Sequence, residues 1–332
     1  MPANTTVVND TEITVVIVTY RGAELLPSCL AGLRRQRVPF RLLVVDNDST
    51  DGTAAVLREL LPTATAGTVL RLDSNRGFAG GVAAALALVT TRFCALLNDD
   101  AIPDPDWLEK LLAVAIEDPQ AAAWTPLLVL ADAETVVNNF GASIDARWYG
   151  VDVDAGRAVA EIGPDVVDVF GFSGGAPLLR TDAVRAVGGF PAEFFMYYED
   201  LDTSWRLRLA GWSIRAVPAA RVVHGHAVTS DPRSAMFHFH NERNRLLTLI
   251  RCAPAAVAPM QYARFLLTTG SLALKKLLHR PVPDAQNFRF GLRFKVAVAV
   301  AAQAPKAYLR RSAVGVNRHR SGRREPAAAS GT

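Results

Sequence analysis

Apolar residues in the first hundred positions come in short unbroken runs separated by stretches of helical spacing. "ITVVIVT" at 13–19 and "RLLVVDN" at 41–47 are continuous and β-branched, the pattern of strands buried on both faces of a parallel sheet. Between them "AELLPSCLAGLRRQ" has helical periodicity, so the chain opens as a βαβ unit. "STDGTAAVLRELL" starts with cap-forming residues and continues as a helix. A weaker strand, "TVLRLD" at 68–73, is followed by "NRGFAGGVAAALALV", glycines at a turn ahead of an Ala-rich helix, and then by the strand "RFCALLND". "DPDWLEKLLAVAIED", 104–118, is a helix whose early acids suit its N-terminal dipole.

This alternation predicts an α/β protein built on a doubly wound, mostly parallel sheet, whose ligands sit beyond the carboxyl ends of the strands. Thr19, Tyr20, Asp46, Asn75 and the run Asn98, Asp99, Asp100 all fall at or just past predicted strand ends, so they are expected to converge. From about 120 to 170 the pattern is mixed, with short strands such as "VVDVFGF". Next comes a helix from Glu199 to Leu209, closed by Gly211 and followed by a short strand; Leu201, Trp205 and Leu209 give it one apolar face. Beyond about 235, amphipathic helical pieces are interrupted by Pro254, Pro259, Pro281, Pro283 and Pro305. The expected organisation is an α/β domain over 1–232, with halves 13–118 and 119–232, a basic helical region over 233–315, and a disordered tail over 316–332.

At 332 residues the chain is long enough for one large domain with an accessory region. No apolar run is long enough to span a membrane, and "MPANTTVVNDTEI" lacks the basic and apolar segments of a secretory signal, so a cytoplasmic protein is expected. Three cysteines without paired spacing argue against a disulfide framework or a structural zinc cluster. The net charge of +4 conceals an asymmetry: residues 1–232 hold 18 Lys and Arg against 29 Asp and Glu, whereas residues 233–332 hold 18 against 3. Such a basic region suits nucleic acid, anionic lipid headgroups or a phosphorylated lipid; a solvated Arg-rich helical surface is the plainer reading.

"ALLNDDAIPDPDWL" runs an apolar strand straight into two neighbouring acids. Asp99 and Asp100 either cap the following turn or serve a divalent cation, since Mg²⁺ and Mn²⁺ take carboxylate oxygens and complete their shells with substrate phosphates. Convergence of the strand ends favours the cation. The first strand is followed by "YRGAEL", which lacks both the dinucleotide-binding and the P-loop glycine patterns. The glycines of "NRGFAGG" fit a tight turn with close helix packing, or a phosphate approaching the backbone. His224 and His226 lie two apart on a predicted strand, hence on one face.

"VVIVTYRG", "LLVVDNDSTDGT", "NRGFAGG", "LLNDDAIPDPDWL", "GFSGGAPLLRTDAVRAVGGFPAEFFMYYEDLDTSWRLRLAGW" and "ARVVHGHA" occur in this order. Together they resemble the family 2 glycosyltransferases of the GT-A fold, nearest to bacterial rhamnosyltransferase-like and galactofuranosyltransferase-like members, over residues 13 to about 248. The resemblance implies an inverting, metal-dependent transfer from a nucleotide-diphosphate sugar (dTDP-rhamnose or a UDP-sugar) to a lipid-linked or cell-wall glycan. By position it implies donor-binding roles for Thr19, Tyr20, Asp46, Asn75, Asn98 and Asp99, with Asp46 on the base edge. It implies Asp100 and His224 as ligands of Mn²⁺ or Mg²⁺ and Asp200, in "YYED", as the catalytic base. Gly174, Gly175 and Glu199 fall where the acceptor binds. Asn98 stands where the family's first Asp often does, and Val82 and Ala83 replace a frequent Asn.

An aspartate at a helix N-terminus is expected to be ionised at neutral pH, as a base must be. The acids around it, Asp202 with Arg206 at spacing four, read as an ordinary helix pair. Two other classes compete. A sugar nucleotidyltransferase would also use a doubly wound sheet with acids on Mg²⁺, but needs a basic glycine-rich loop after the first strand, which "YRGAEL" does not supply. A nucleic-acid or anionic-membrane module would be led by the basic region; peripheral contact with the inner face of the cell membrane, without nucleic acid, is the expectation.

Overall fold

The computed structural model describes residues 11–63, 67–225, 231 and 233–313. The tail read as disordered, 316–332, and His226 lie outside the described residues. Four strands form as their apolar runs predict: β1 (Ile13–Thr19), β2 (Arg41–Asp46), β3 (Thr68–Arg71) and β4 (Phe93–Asn98). They alternate with helices α1 (Leu26–Leu33), α2 (Thr53–Leu60) and α3 (Gly77–Leu86). A three-residue strand β5 (Ala101–Pro103), helix α4 (Trp107–Glu117) and strand β6 (Ala121–Leu130) follow. Next come β7 (Ala133–Asn139), β8 (Ala142–Ile144), β9 (Gly150–Asp152), β10 (Val167–Asp168) and β11 (Leu178–Arg180). Helices α5 (Thr181–Ala186) and α6 (Glu199–Leu209) lead into β12 (Ser213–His224). Three long helices end the described chain: α7 (Ala235–Cys252), α8 (Val257–Leu277) and α9 (Phe290–Ala313).

The main path of the sheet is β10-β12-β6-β11-β4-β1-β2-β3. β1 pairs in parallel with β2 and β4, and β12 with β6, while β11 inserts antiparallel between β4 and β6. Alternation along β1 sends Ile13, Val15 and Ile17 to one face, against α1 and α4, and Val16 to the other, against α3. Both faces are therefore apolar, which is why the strand runs are unbroken. The order reverses at β1, so a crevice opens beyond the carboxyl ends of β1 and β4, between Thr19 and Asn98.

Helix α6 is tied into the protein by charge as well as by its apolar face. Leu201 and Trp205 are buried, with Trp205 stacked on Trp148, and Gly211 closes the helix at φ +94°. The Asp202–Arg206 pair forms as its spacing predicts, Nε to Oδ1 at 2.7 Å, but it is buried. Arg206 also donates to the carbonyls of Val187 and Gly189, and Asp202 meets Arg251 of α7 at 3.3 Å. Arg206→Ala leaves those carbonyls without their guanidinium donor, and is expected to cost about 3–5 kcal/mol in urea unfolding. A loss under about 1 kcal/mol would place the pair among surface salt bridges in energetic terms.

Candidate active site

The residues Asn98, Asp99 and Asp100 occupy the turn between β4 and β5, and β5 pairs with the end of β12 so that His224 lies opposite Ala101. This pairing sets His224 Nε2 3.3 Å from Asp100 Oδ1 and 3.1 Å from Asn98 Nδ2. On the far side of the ring, Nδ1 is 2.8 Å from Asn138 Oδ1. A tautomer protonated at Nδ1 satisfies both amides: Nδ1 donates to the Asn138 oxygen and Nε2 accepts from Asn98. The Nε2 lone pair lies on the side of Asn98 and Asp100, so a cation taking it would replace the Asn98 contact while Asn138 keeps the ring oriented from behind.

Asp99 points the other way. Thr19 Oγ1 donates to its Oδ2 at 2.6 Å, and a Cβ on Gly22 would lie 2.7 Å from that oxygen. Burial, with Asp100 alongside, pushes the Asp99 carboxyl up to about 6 in spite of the Thr19 bond.

A cavity of about 710 Å³ opens here. Tyr20, Asn75, Asn98, Asp99, Asp100, Gly174, Gly175, Glu199, Asp200 and His224 all line it. Thr19 and Asp46 do not: both are buried behind the wall. Asp46 accepts from the Ser49 amide at 2.9 Å and is paired with Arg71, so its carboxylate shapes the loop after β2.

Asp200 sits in the first turn of α6. Its Oδ2 accepts from the Gly174 amide at 3.0 Å and its Oδ1 from the Leu201 amide at 2.7 Å. A Cβ on Gly174 would stand 3.6 Å from Oδ2 and 3.3 Å from the Phe78 ring, so glycine here brings the backbone donor close. Asp200 is a stronger base than an exposed aspartate, yet it stays ionised at neutral pH as expected from the sequence. Burial raises its pKa to about 6, with the carboxylate of Asp152 adding to the rise and the two amides opposing it. Its neighbour Glu199 is buried with Oε2 unpartnered, and burial beside Asp200 and Asp202 holds it well above the usual carboxylate range.

The cavity lining therefore carries five carboxyl groups, from Asp99, Asp100, Asp152, Glu199 and Asp200, and among the described residues no Lys or Arg. An anionic ligand entering it needs a cation. Among the described residues no three His, Cys, Asp or Glu form a complete metal cluster. Asp100 and His224 fit as two protein ligands of an ion whose remaining positions go to substrate oxygens.

The "NRGFAGG" glycines serve packing. Gly77, at φ +68°, would place a Cβ 2.1 Å from the Phe195 carbonyl oxygen, and one on Gly81 would meet Val18 at 2.5 Å. Sequence reasoning missed Asn138, Asp152 and Asn241, which orient His224 or line the cavity. Asn138 and His224 are 86 residues apart, beyond any local pattern. The loop ahead of α6 was also missed: Phe195, Tyr197 and Tyr198 all have φ between +67° and +68°, each costing on the order of 1–3 kcal/mol.

With this geometry in place, comparison with known proteins identifies the chain. Residues 14–133 match "Glycosyl transferase family 2" and residues 93–277, more than half the chain, match "Glycosyl transferase family group 2". The N-acetylglucosaminyl-diphospho-decaprenol L-rhamnosyltransferase of Mycobacterium tuberculosis is 30% identical over 291 residues, 80% of this chain and 91% of that protein. A galactofuranosyltransferase of Mycolicibacterium smegmatis is 26% identical over 267 residues, 75% of this chain and 87% of that protein. A GalNAc transferase crystallised with UDP, GalNAc and Mn²⁺ has the same fold, with a TM-score of 0.62 at 14% identity, over 90% of this chain and 58% of that one. The chain belongs to glycosyltransferase family 2 and has the GT-A fold.

Two carboxyls of this cavity should titrate far above free aspartate. In a ¹³C carboxyl NMR titration, two aspartate midpoints near pH 6 are expected. One should vanish in Asp99→Asn and the other in Asp200→Asn; midpoints near 4 for both residues would contradict the burial described.

Proposed function

We propose that the chain is an inverting, metal-dependent glycosyltransferase that moves a sugar from dTDP-rhamnose or a UDP-sugar to a lipid-linked or cell-wall glycan. The observation that carries this is the cavity itself: Asp100 with His224, and Asp200, line one space rich in carboxyls and, among the described residues, without Lys or Arg. The relative's name supports the acceptor class, since that protein acts on a diphospho-decaprenol-linked sugar.

Asp100 and His224 would hold Mn²⁺ or Mg²⁺, which when bound neutralises the charge on the diphosphate leaving group. On the donor side Tyr20, Asn75, Asn98 and Asp99 face the ligand, while Thr19 and Asp46 fix the strand ends from behind. Glu199, Gly174 and Gly175 lie on the acceptor side. Asp200 accepts the proton of the acceptor hydroxyl as that oxygen attacks the anomeric carbon and the bond to diphosphate breaks. Its two amide bonds aim the carboxylate, and its raised pKa makes it a stronger base than free aspartate. Burial beside Asp200 favours the neutral form of Glu199, which limits the build-up of a second negative charge.

The helical region supports peripheral contact with an anionic membrane. α8 and α9 run antiparallel, tied by Arg293 to Thr269 at 2.9 Å and by the Tyr262 hydroxyl to the Ala297 carbonyl at 2.9 Å. Leu274, Leu277, Phe290 and Phe294 are exposed around the end of this hairpin, where Lys275, Lys276, Arg289 and Lys295 are exposed too. Apolar and cationic groups together suit an interfacial helix. No described helix is long and apolar enough to cross a membrane.

Asp200→Asn should lower transfer by about 100-fold or more, measured as product formation with Mn²⁺, while donor binding by calorimetry persists. Full transfer would remove the base. Because the active form is ionised, the wild-type rate should hold above pH 6 and fall about tenfold per unit below it. In co-sedimentation the chain should bind phosphatidylglycerol vesicles but not phosphatidylcholine vesicles. Lys275→Ala with Lys276→Ala should weaken that binding by at least about tenfold, and equal binding to both lipids would refute the membrane face.

A further inference from the structure

The segment that delivers Asp200 to the cavity is held in a conformation that its own residues disfavour. Phe195, at φ +67° and ψ −65°, is the centre of a γ-turn of the rare hand, closed by the Met196 amide donating to the Phe194 carbonyl at 2.8 Å. Tyr197 and Tyr198 then both adopt φ +68°, and Tyr198 is the residue immediately before α6. None of the three is glycine, so the loop needs outside support to keep this shape.

That support comes from α7. The side-chain amide nitrogen of Asn244, which is fully buried, directs its two N–H groups at three carbonyls of the loop, one hydrogen being shared: Phe194 at 3.0 Å, Met196 at 2.9 Å and Tyr197 at 2.7 Å. The amide is locked in this sense, because its Oδ1 accepts from Arg243 Nε at 2.9 Å, and a flip would set that oxygen against the three carbonyls. Arg243 Nη2 adds bonds to the carbonyls of Glu193 and Phe194 at 3.1 and 2.7 Å. On the opposite side, the Phe195 carbonyl accepts from the Ala79 amide at 3.0 Å. Left-handed and γ conformations turn successive carbonyls toward one side, and a single donor placed there selects them. With that donor gone, the residues relax toward ordinary backbone regions and rotate the first turn of α6.

We propose that Asn244 is a positioning residue for transfer: it stabilises the strained 194–198 loop and so holds the Asp200 carboxylate against the Gly174 amide and the acceptor. The proposal rests on the reading of Asp200 as the base. It also makes α7 part of the catalytic machinery, although the helix lies outside the segment expected from the sequence to form the α/β domain.

The test uses full-length Asn244→Ala and Asn244→Asp, assayed with Mn²⁺ and whichever of dTDP-rhamnose or the UDP-sugars the wild type turns over. We expect kcat to fall about 100-fold while donor KM moves less than about threefold, as for a misplaced catalytic group. In an Asp200→Asn background the Asn244 variants should cause no further loss, since both act through one group. Unchanged kcat, a parallel change in kcat and KM, or independent additive losses would overturn the proposal. Should the Asn244 variants fail to fold, Arg243→Lys keeps a charge but cannot bridge Asn244 and the Phe194 carbonyl; it should lower kcat at constant KM, and unchanged kcat would again overturn the idea. Full activity in Asp200→Asn would instead end the base assignment. A silent Asn244 beside an inactive Asp200→Asn ends the positioning role alone.

Discussion

Like charges crowded into one cavity repel, and their repulsion sets the terms for this site. Five carboxyls line one cavity, and the protein manages them by different means. Asp99 accepts a hydroxyl, Asp200 two backbone amides and Asp152 the Asn139 amide. Glu199 has no such partner at Oε2 and takes the other route, since burial favours its neutral form. Asp100 faces an imidazole. A cavity so arranged is poor for an anion by itself, and a divalent cation arriving with the anion would offset the carboxyl charge, which is why the proposed function joins metal and donor in one binding event.

The same economy explains why the strain lies where it does. A relaxed loop ahead of α6 would let the first turn of the helix follow its own preference. Three non-glycine residues with positive φ fix the direction of entry instead, and α3 and α7 grip the loop from two sides through Ala79 and Asn244. Gly77 then has a reason to be glycine that concerns the loop as much as phosphate, because a Cβ there would collide with the Phe195 carbonyl. The turn at Gly77 and the loop ahead of α6 thus meet at one carbonyl group.

How much of this was legible in the sequence depended on whether the determining contact was local. β1 and α6 occupy the residues that their periodicity predicts, and the convergence of strand-end residues followed from the doubly wound pattern. β6 was hidden because "AAAWTPLLVL" is Ala-rich and contains Pro126, which argues against a central strand. The structure accommodates that proline with a bulge: the register on β12 jumps from Val217 opposite Pro126 to Arg221 opposite Leu127. For the same reason β12 extends to twelve residues where a short strand was expected. The upward shift of Asp200 was not legible because burial is a tertiary property. Asn244 was overlooked because its partners lie 47 to 50 positions away, although a polar residue among Leu246, Leu247 and Leu249 on a buried helix was a usable signal.

Charge asymmetry along the chain was read as a solvated surface or a docking surface, and the structure divides it between two uses. Arg243, Arg245, Arg251, Arg293 and Arg311 are buried; Arg251 reaches Asp202 and Glu193, and Arg310 reaches Glu193. Arg251 and Arg310 thus answer acids of the preceding, net negative part of the chain, while Arg243, Arg293 and Arg311 serve backbone carbonyls and Arg245 meets Glu242 of its own helix. Guanidinium suits this task because it can satisfy several carbonyls and a carboxylate at once while remaining charged. Lysines follow the other course: Lys275, Lys276, Lys295 and Lys306 are all exposed on α8 and α9. A flexible ammonium is costly to bury and effective at a wet anionic surface. The buried guanidiniums are thus interior structure, whereas the lysines, together with Arg264, Arg280 and Arg289, face solvent, and only this second group should respond to salt.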